Sequence, residues 1–366
     1  MKKSILYFFF ISMGAFISCK STSITPDFPS ASKSTGQESY DMRIVTYNVE
    51  NLFDTQHDEG KRDQDFLPWG MNNWTQERYQ TKLKRIFKVI ANISEWEYPA
   101  IISLTEIENR TVLEDLISAT PLSESDYAII HEESPDVRGI DVAILYRKSI
   151  FQLISHEAIL VQLPGDPYFK TRDILYAKGI VNHNDTLHFF VTHFPSRRGG
   201  EAESEMKRLQ AASILRNKAD SILAYNSDAK IIITGDFNDD PTNASVYEVL
   251  RGKETLEQSI PGDFFNMMYE SYKKGYGTYK YQSNWNMLDQ FIVSSSMLDQ
   301  SSSTYTTTSS AYIFQPEWLS VKDDRHPGYK PLRTYSGPNY IGGYSDHYPI
   351  FMDIYFNTTP KNKSRK

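Results

Sequence analysis

The sequence predicts an α/β fold in which two sheets pack face to face with helices outside them, in one domain. Three observations predict it. Apolar runs of strand length are interleaved with segments of helical period along the 366 residues. Several strands come in pairs around polar turns. Finally, "IIITGDFNDDP" (Ile231–Pro241) opens on a continuous apolar and β-branched run, the pattern of a strand buried on both faces. No repeat at a fixed period is evident.

The elements follow in chain order. "MKKSILYFFFISMGAFISC" starts with two lysines, runs apolar from Ile5 and closes on Cys19. It is too short and wrongly flanked for a spanning helix and reads as a secretory signal. A small residue before the only cysteine resembles a bacterial lipobox, although Phe16 stands where leucine is commoner. The expectation is a signal peptide over residues 1–18 and an acylated Cys19 that anchors the protein to an envelope membrane. The alternative is an ordinary signal cut nearby, with Cys19 incidental. An exported chain works in an oxidising compartment, and this one has no disulfide to lose. Residues 19–41, rich in Ser, Thr and Lys, read as a lipidated, flexible tether.

"MRIVTYNVENLF" (Met42–Phe53) alternates apolar and polar residues and reads as the first strand. Tyr79, Leu83, Ile86, Phe87 and Ile90 then share one helical face, with Thr75 as N-cap. "PAIISLTEIEN" reads as a buried strand ending in carboxylates, and "TVLEDLIS" as a short helix. "YAIIHEESPDVRGIDVAILYR" reads as two strands around a polar turn, and "LHFFVTHFPSRRGG" as a strand ending at His193. "EAESEMKRLQAASILRNKADSILAY" is a long helix whose acidic start suits the macrodipole. The Ile231 strand comes next, then a helix after Pro241 and a strand in "NWNMLDQFIVSS". Residues 295–340, rich in Ser, Thr and Tyr, read as an irregular insertion. "GGYSDHYPIFMDIYF" is the last strand of a domain over 42–356, and 357–366 is a disordered basic tail.

The formal net charge is −7, and cleavage before Cys19 removes Lys2 and Lys3 and no acid, giving −7 − 2 = −9. Such a chain lacks the global basic footprint of a tight nucleic-acid binder. It suits cation binding in a local carboxylate cluster.

Polar residues gather at strand ends. Side chains at i and i+2 of a strand point to one side, so Asp236 and Asn238 belong together at a sheet lip, unless "GDFN" is only a polar turn. Similar ends are Asn48 and Glu50, Glu106, His193, Asp289, and Asp346 with His347. Their recurrence suggests strands delivering acids, amides and histidines to one edge, where ligands bind. Carboxylate oxygens suit Mg²⁺ or Ca²⁺. No Cys cluster or His-x-x-x-His spacing is present, so zinc is not expected.

The ordered set "YNVENLF", "TEIEN", "THFPSR", "GDFND", "LDQFIVS" and "SDHYPI" resembles the endonuclease/exonuclease/phosphatase superfamily, deoxyribonuclease I-like, from about Met42 to Phe356. The resemblance implies a four-layer α/β/β/α sandwich of two mostly antiparallel sheets, with the active site at one edge. It implies a metal-dependent phosphoester hydrolase using Mg²⁺, with Mn²⁺ or Ca²⁺ as alternatives. Glu106 is then the central metal ligand, with Glu50 and Asp346 at the metal and Asn48 at the substrate phosphate. Asp236 would deprotonate or orient the attacking water, and Asn238 would hold a phosphate oxygen. His347 would contact the scissile phosphate, oriented by Asp289. His193 would be the general acid for the leaving oxygen.

Other residues have two readings. Arg197 and Arg198 could clamp a phosphate or pair with Glu201, Glu203 and Glu205. Arg138 could face the substrate or lie on the surface. His57, His131, His156, His183 and His188 fit no motif and read as structural. The expected substrate is a phosphodiester, DNA or RNA, cleaved by an exported monomeric nuclease. The rival is a lipid headgroup or small phosphoester, cleaved by a sphingomyelinase-like phosphodiesterase or a phosphatase. The Tyr- and Trp-rich "YGTYKYQSNW" keeps that rival in play. A non-catalytic binding protein on the same fold is disfavoured by the presence of all the core acids.

Overall fold

The computed structural model of the chain describes residues 40–182, 184–255 and 262–357. Cys19, the signal, the tether up to residue 39, His183 and the basic tail beyond Asn357 lie outside the described residues. Its strands are β1 (Met42–Leu52), β2 (Ile101–Ile107), β3 (Tyr127–His131), β4 (Asp141–Arg147), β5 (Gln152–Ile159), β6 (Ile174–Val181), β7 (Asp185–His193), β8 (Lys230–Asp236), β9 (Gly252–Lys253), β10 (Phe264–Asn266), β11 (Tyr279–Tyr281), β12 (Asn284–Asn286), β13 (Asp289–Ser294), β14 (Thr304–Tyr305), β15 (Ala311–Ile313), β16 (Ser320–Lys322), β17 (Tyr329–Pro331), β18 (Tyr335–Ser336), β19 (Asn339–Tyr340) and β20 (Ile350–Phe356). The helices are α1 (Gln76–Ile93), α2 (Arg110–Ser118), α3 (Glu201–Tyr225) and α4 (Tyr269–Lys273).

Two sheets organise the chain. The first runs β14-β20-β1-β2-β4-β3, with β15 also on β20, and the second runs β5-β6-β7-β8-β13-β10-β9. Among the described residues only β1/β2, β7/β8 and β9/β10 pair in parallel, so both sheets are mixed and mostly antiparallel.

The alternation of β1 explains the layering. Val45, Tyr47 and Val49 join Leu83, Ile86 and Ile90 of α1 and Leu113 of α2 in one apolar cluster. On the opposite face, Ile44 joins Ile232 of β8, Phe189 of β7 and Phe291 of β13 in the core between the sheets. Ile231 and Ile233 of β8 point the other way and pack with Ala212, Leu215 and Ala219 of α3. The order is helix, sheet, sheet, helix. Thr75 caps α1, its side chain accepting from the Arg78 backbone N–H. Among the described residues no helix is long and apolar enough to cross a membrane.

Several local expectations need correction. β5 and β6 had no place in the sequence reading; β5 is an edge strand with mostly exposed residues and lacks a buried face to read, whereas β6 is largely buried and its apolar run was readable. After Pro241 the chain makes only a five-residue π-type turn, Ser245–Val249. "NWNMLDQFIVSS" is two strands, β12 and β13. The expected irregular insertion at 295–340 contains β14 to β19, and β14 and β15 extend the first sheet by pairing with β20.

Candidate active site

The inter-sheet core changes character along one line. Ile44 and Ile232 lie in its apolar part. Two residues on, Thr46 Oγ1 meets Thr234 Oγ1 at 2.7 Å and Ser103 Oγ at 2.7 Å. Two further, Asn48 Nδ2 donates to Asp236 Oδ2 at 3.0 Å. Each step follows from the period of two. Fully burying an apolar pair contributes a few kcal/mol, whereas a buried hydrogen bond nets about 1 kcal/mol. Stability is therefore concentrated at the centre and given up toward the polar edge.

Register sets the next layer. His193 of β7 lies opposite Asp236 of β8, and Asp289 of β13 lies opposite Asp236 on its other side. Three strands thus present one row, His193–Asp236–Asp289. Gly235, at φ 133°, permits it, since a Cβ there would stand 1.9 Å from the Thr192 carbonyl oxygen. Asn238, at φ 50°, turns back so that its N–H donates to Asp236 Oδ1 at 2.8 Å and its Nδ2 to the Phe194 carbonyl at 3.0 Å.

His347 arrives from the loop before β20. Its Nδ1 lies 2.7 Å from Asp289 Oδ2 and its Nε2 3.9 Å from Asp236 Oδ2. The Tyr279 ring lies against it, centroids 4.9 Å apart. His193 Nε2 is 3.5 Å from the same Asp236 oxygen.

The electrostatics divide these groups. Burial works against a charged His347, but Asp289, with help from Asp236 and Asp346, outweighs it and pushes the ring up to about 10. Burial raises Asp236 to about 7; His347 opposes this and Asp289 adds to it. Burial, then the charges of Arg172, Arg138 and His347, push His193 well below its ordinary value. Among the charges Arg172 comes first; it is itself buried and fixed by Asp136 and the Phe194 carbonyl. His347 is accordingly charged and His193 neutral at neutral pH. A neutral resting His193 runs against its expected role as proton donor.

The metal ligands expected from the sequence separate. Glu106, at φ 65°, sits where the β2 register shifts against both β1 and β4, so it is the extra residue of a bulge. That bulge aims its half-buried carboxylate into a cavity of about 660 Å³, which Asp346 also lines. Glu50 does not line that cavity. At φ 54°, followed by Asn51 at 57°, it leaves the strand alternation, and its carboxylate accepts from Arg333 Nε at 3.2 Å and the Thr334 N–H at 2.5 Å. Burial, then Asp346, raises Glu50 to about 7. Glu106 and Asp346 both line this cavity, and carboxylate oxygens are the donors that a hard divalent ion takes.

The other expected residues are placed as follows. His193, Asp236, Asn238, His347 and Arg138 line the cavity. Asn48 is buried behind it, spent on Asp236 and on the Glu50 N–H. Asp289 stands behind His347. Arg197 lines the cavity, but its guanidinium is committed to the Asn238 carbonyl, Asp239, Asp240, Asn243 and Glu201, which corrects the phosphate-clamp expectation. Its neighbour Arg198 is exposed at the cavity and has no acid partner among the described residues. Sequence reasoning missed Arg333, which bridges Glu50 and Asp346, and Lys82, buried in α1 with its Nζ on Thr334 Oγ1 and the Tyr344 carbonyl. Lys82 carried one signal, a charge inside the apolar stripe of α1.

The arrangement has relatives among solved structures. An endonuclease/exonuclease/phosphatase from Bacteroides vulgatus aligns at TM-score 0.52 and 16% identity, covering 86% of this chain and 99% of its own. Bacteroides thetaiotaomicron mannosyl-6-phosphatase aligns at 0.52 and 15%, covering 86% and 100%. Truncated TDP2 of Caenorhabditis elegans aligns at 0.51 and 17%, covering 86% and 98%. At such identities the likeness carries the fold. No curated protein matches the chain. Residues 43–355 match the Endonuclease/Exonuclease/phosphatase family, a span that holds both sheets and every residue of the His193–Asp236–Asp289–His347 cluster. The chain therefore belongs to that family of phosphoesterases.

Proposed function

We propose that the chain is a Mg²⁺-dependent phosphodiesterase, and most simply a nuclease. The observation that supports this most is the content of the cavity beyond the acid–histidine cluster. Arg138 and Arg198 line it, as do Tyr279 and Tyr281. Guanidinium groups suit phosphates flanking the one attacked, and tyrosine faces suit stacked bases. A short basic lip on an acidic chain gives local rather than global attraction for a polyanion.

In this reading Glu106 and Asp346 would hold the ion, which would neutralise charge building on the phosphate oxygens. The chain's own groups do the rest. Asp236, held near 7, can accept a proton from the attacking water at Oδ2. Asp289 keeps His347 charged, so Nε2 offers a charge-assisted hydrogen bond to a phosphate oxygen. Asn238 fixes Asp236 through its backbone N–H. His193 contributes a neutral hydrogen bond in the resting state.

A second reading is a phosphodiesterase for a lipid headgroup. It is favoured by the β11/β12 hairpin, which borders the cavity and leaves Tyr281 60% exposed. A lipidated Cys19 would bring either enzyme to a bacterial envelope membrane, as a monomer on a flexible tether. The deciding experiment is a metal-dependent activity panel on DNA, RNA, sphingomyelin, inositol phosphates and a bis-aryl phosphodiester. Cleavage of DNA or RNA well above the others supports the nuclease. Preference for sphingomyelin or an inositol phosphate overturns it.

A further inference from the structure

We propose that His131, Glu133 and Asp141 form a second cation site, apart from the phosphate cavity, suited to a borderline divalent ion such as Zn²⁺. His131 closes β3 and Asp141 opens β4, its antiparallel neighbour. Their ladder pairs Ile129 with Leu145 and His131 with Ala143. Glu133 lies two residues past the end of β3 and Asp141 two residues before Ala143, at the start of β4. One ligand atom from each of the three lies within 4.8 Å of the others.

Two buried atoms in this cluster have no hydrogen-bond partner among the described residues. His131 Nε2 and Asp141 Oδ2 belong to side chains only 2% and 1% exposed, and neither makes a hydrogen bond. They stand 3.6 Å apart, beyond a good hydrogen bond. Atoms bound to one tetrahedral Zn²⁺ at about 2.1 Å stand about 3.4 Å from each other, which is close to that separation. A proton on His131 would serve Asp141 alone and leave Glu133 facing a like charge, which is unfavourable across a strand pair. A shared cation serves all three, and an imidazole nitrogen selects Zn²⁺ over Mg²⁺.

The rest of the surroundings is compatible. Asp141 Oδ1 is already bound by the Ser134 N–H at 3.0 Å, which leaves Oδ2 as the ligand atom. Lys61 Nζ lies 3.7 Å from Glu133 Oε2 but donates to the Ser134 and Asp136 carbonyls instead. Glu133 is 52% exposed, at the solvent side of the cluster. These ligands come from a hairpin, which is why a search for helical His-x-x-x-His spacing passes them by. The ion ties together the two ends of the loop 134–140, which carries Arg138 to the cavity.

The test is Zn²⁺ binding to the metal-stripped full chain, by equilibrium dialysis and metal analysis, with Co²⁺ absorption as a second probe. Wild type is expected to bind Zn²⁺ at this site more tightly than His131→Gln, Asp141→Asn or Glu133→Gln by at least about tenfold, any Zn²⁺ taken by the phosphate cavity being common to all four chains. The Co²⁺ spectrum of wild type should lose its nitrogen-ligand contribution in His131→Gln. The exposed Glu133 makes its variant safe for folding, so it keeps the test alive should the buried substitutions misfold. Equal Zn²⁺ stoichiometry and affinity in wild type and Glu133→Gln would overturn the site, as would the absence of any Zn²⁺ binding by wild type.

Discussion

Replacing Asp289 by Asn should turn a permanent charge on His347 into a pH-dependent one. Asn keeps the shape and a hydrogen-bond acceptor but removes the carboxylate that outweighs burial at this ring. Without it, burial opposes only the weaker influence of Asp236 and Asp346, and the ring should fall from about 10 toward its unperturbed value or below. With a value of about 6.5, only about 3% of the rings would be charged near pH 8, against nearly all in the parent. If the charge is what stabilises the phosphate, kcat/KM near pH 8 should drop by about 30-fold, while the loss near pH 5.5 stays small.

The assay is a pH–rate profile on a bis-aryl phosphodiester, whose leaving oxygen needs no proton donor. The parent should rise as Asp236 ionises near 7 and hold a plateau toward 10, where His347 discharges. The variant should decline above about 6.5, where its ring loses charge. A variant with the parent's profile and less than about a threefold loss would refute the idea that Asp289 supplies the charge.

Three other outcomes are expected. Glu106→Gln should lower metal-dependent turnover by about two orders of magnitude or more, with thermal stability little changed because the side chain is only half-buried; near-parent activity at saturating Mg²⁺ would remove Glu106 as a ligand. Glu50 keeps its proton up to about 7 in the folded chain while the unfolded chain ionises near 4.5, so its contribution to stability is present below about 4.5 and lost as pH rises through 7. Metal-free wild type should therefore lose thermal stability between these values, and Glu50→Gln should flatten part of that decline; an unchanged slope would contradict the buried-carboxyl account. His193→Ala should lower kcat/KM for an aryl ester and a nucleotide ester by similar factors, because the ring is neutral at rest; a loss confined to the nucleotide ester would restore the general-acid role.

Much of the fold and the site was legible because both follow strand periodicity. The end of β8 showed Asp236 and Asn238 as a pair, and the parallel course of β7 and β8 delivered His193 to the same edge. What escaped lies where no periodic signal exists. β5 is an exposed edge strand without an apolar face. Arg333 sits in a stretch of very short strands, 283 residues from the Glu50 it holds, and nothing local marks that partnership.

Glu50 itself shows why site residues cannot be counted along a strand through a bulge. Asn48 and Glu50 are two apart, so unbroken alternation would put both beside Asp236. Left-handed backbone at Glu50 and Asn51, neither of them glycine, sends the Glu50 carboxylate to Arg333 and Thr334. One strand over, the same kind of distortion at Glu106 does the opposite and aims a carboxylate into the cavity. Each such residue costs on the order of 1 kcal/mol or more. The hydrogen bonds returned are specific: the Asn51 N–H to Glu106 Oε2 at 2.8 Å ties the two bulges to each other. The strain at one bulge therefore fixes the carboxylate delivered by the other. A substitution at Asn51 that cannot hold φ near 57° should displace Glu106 without touching substrate or ion. An Asn51→Val chain with unaltered Mg²⁺ dependence would show that the coupling between the bulges does not matter.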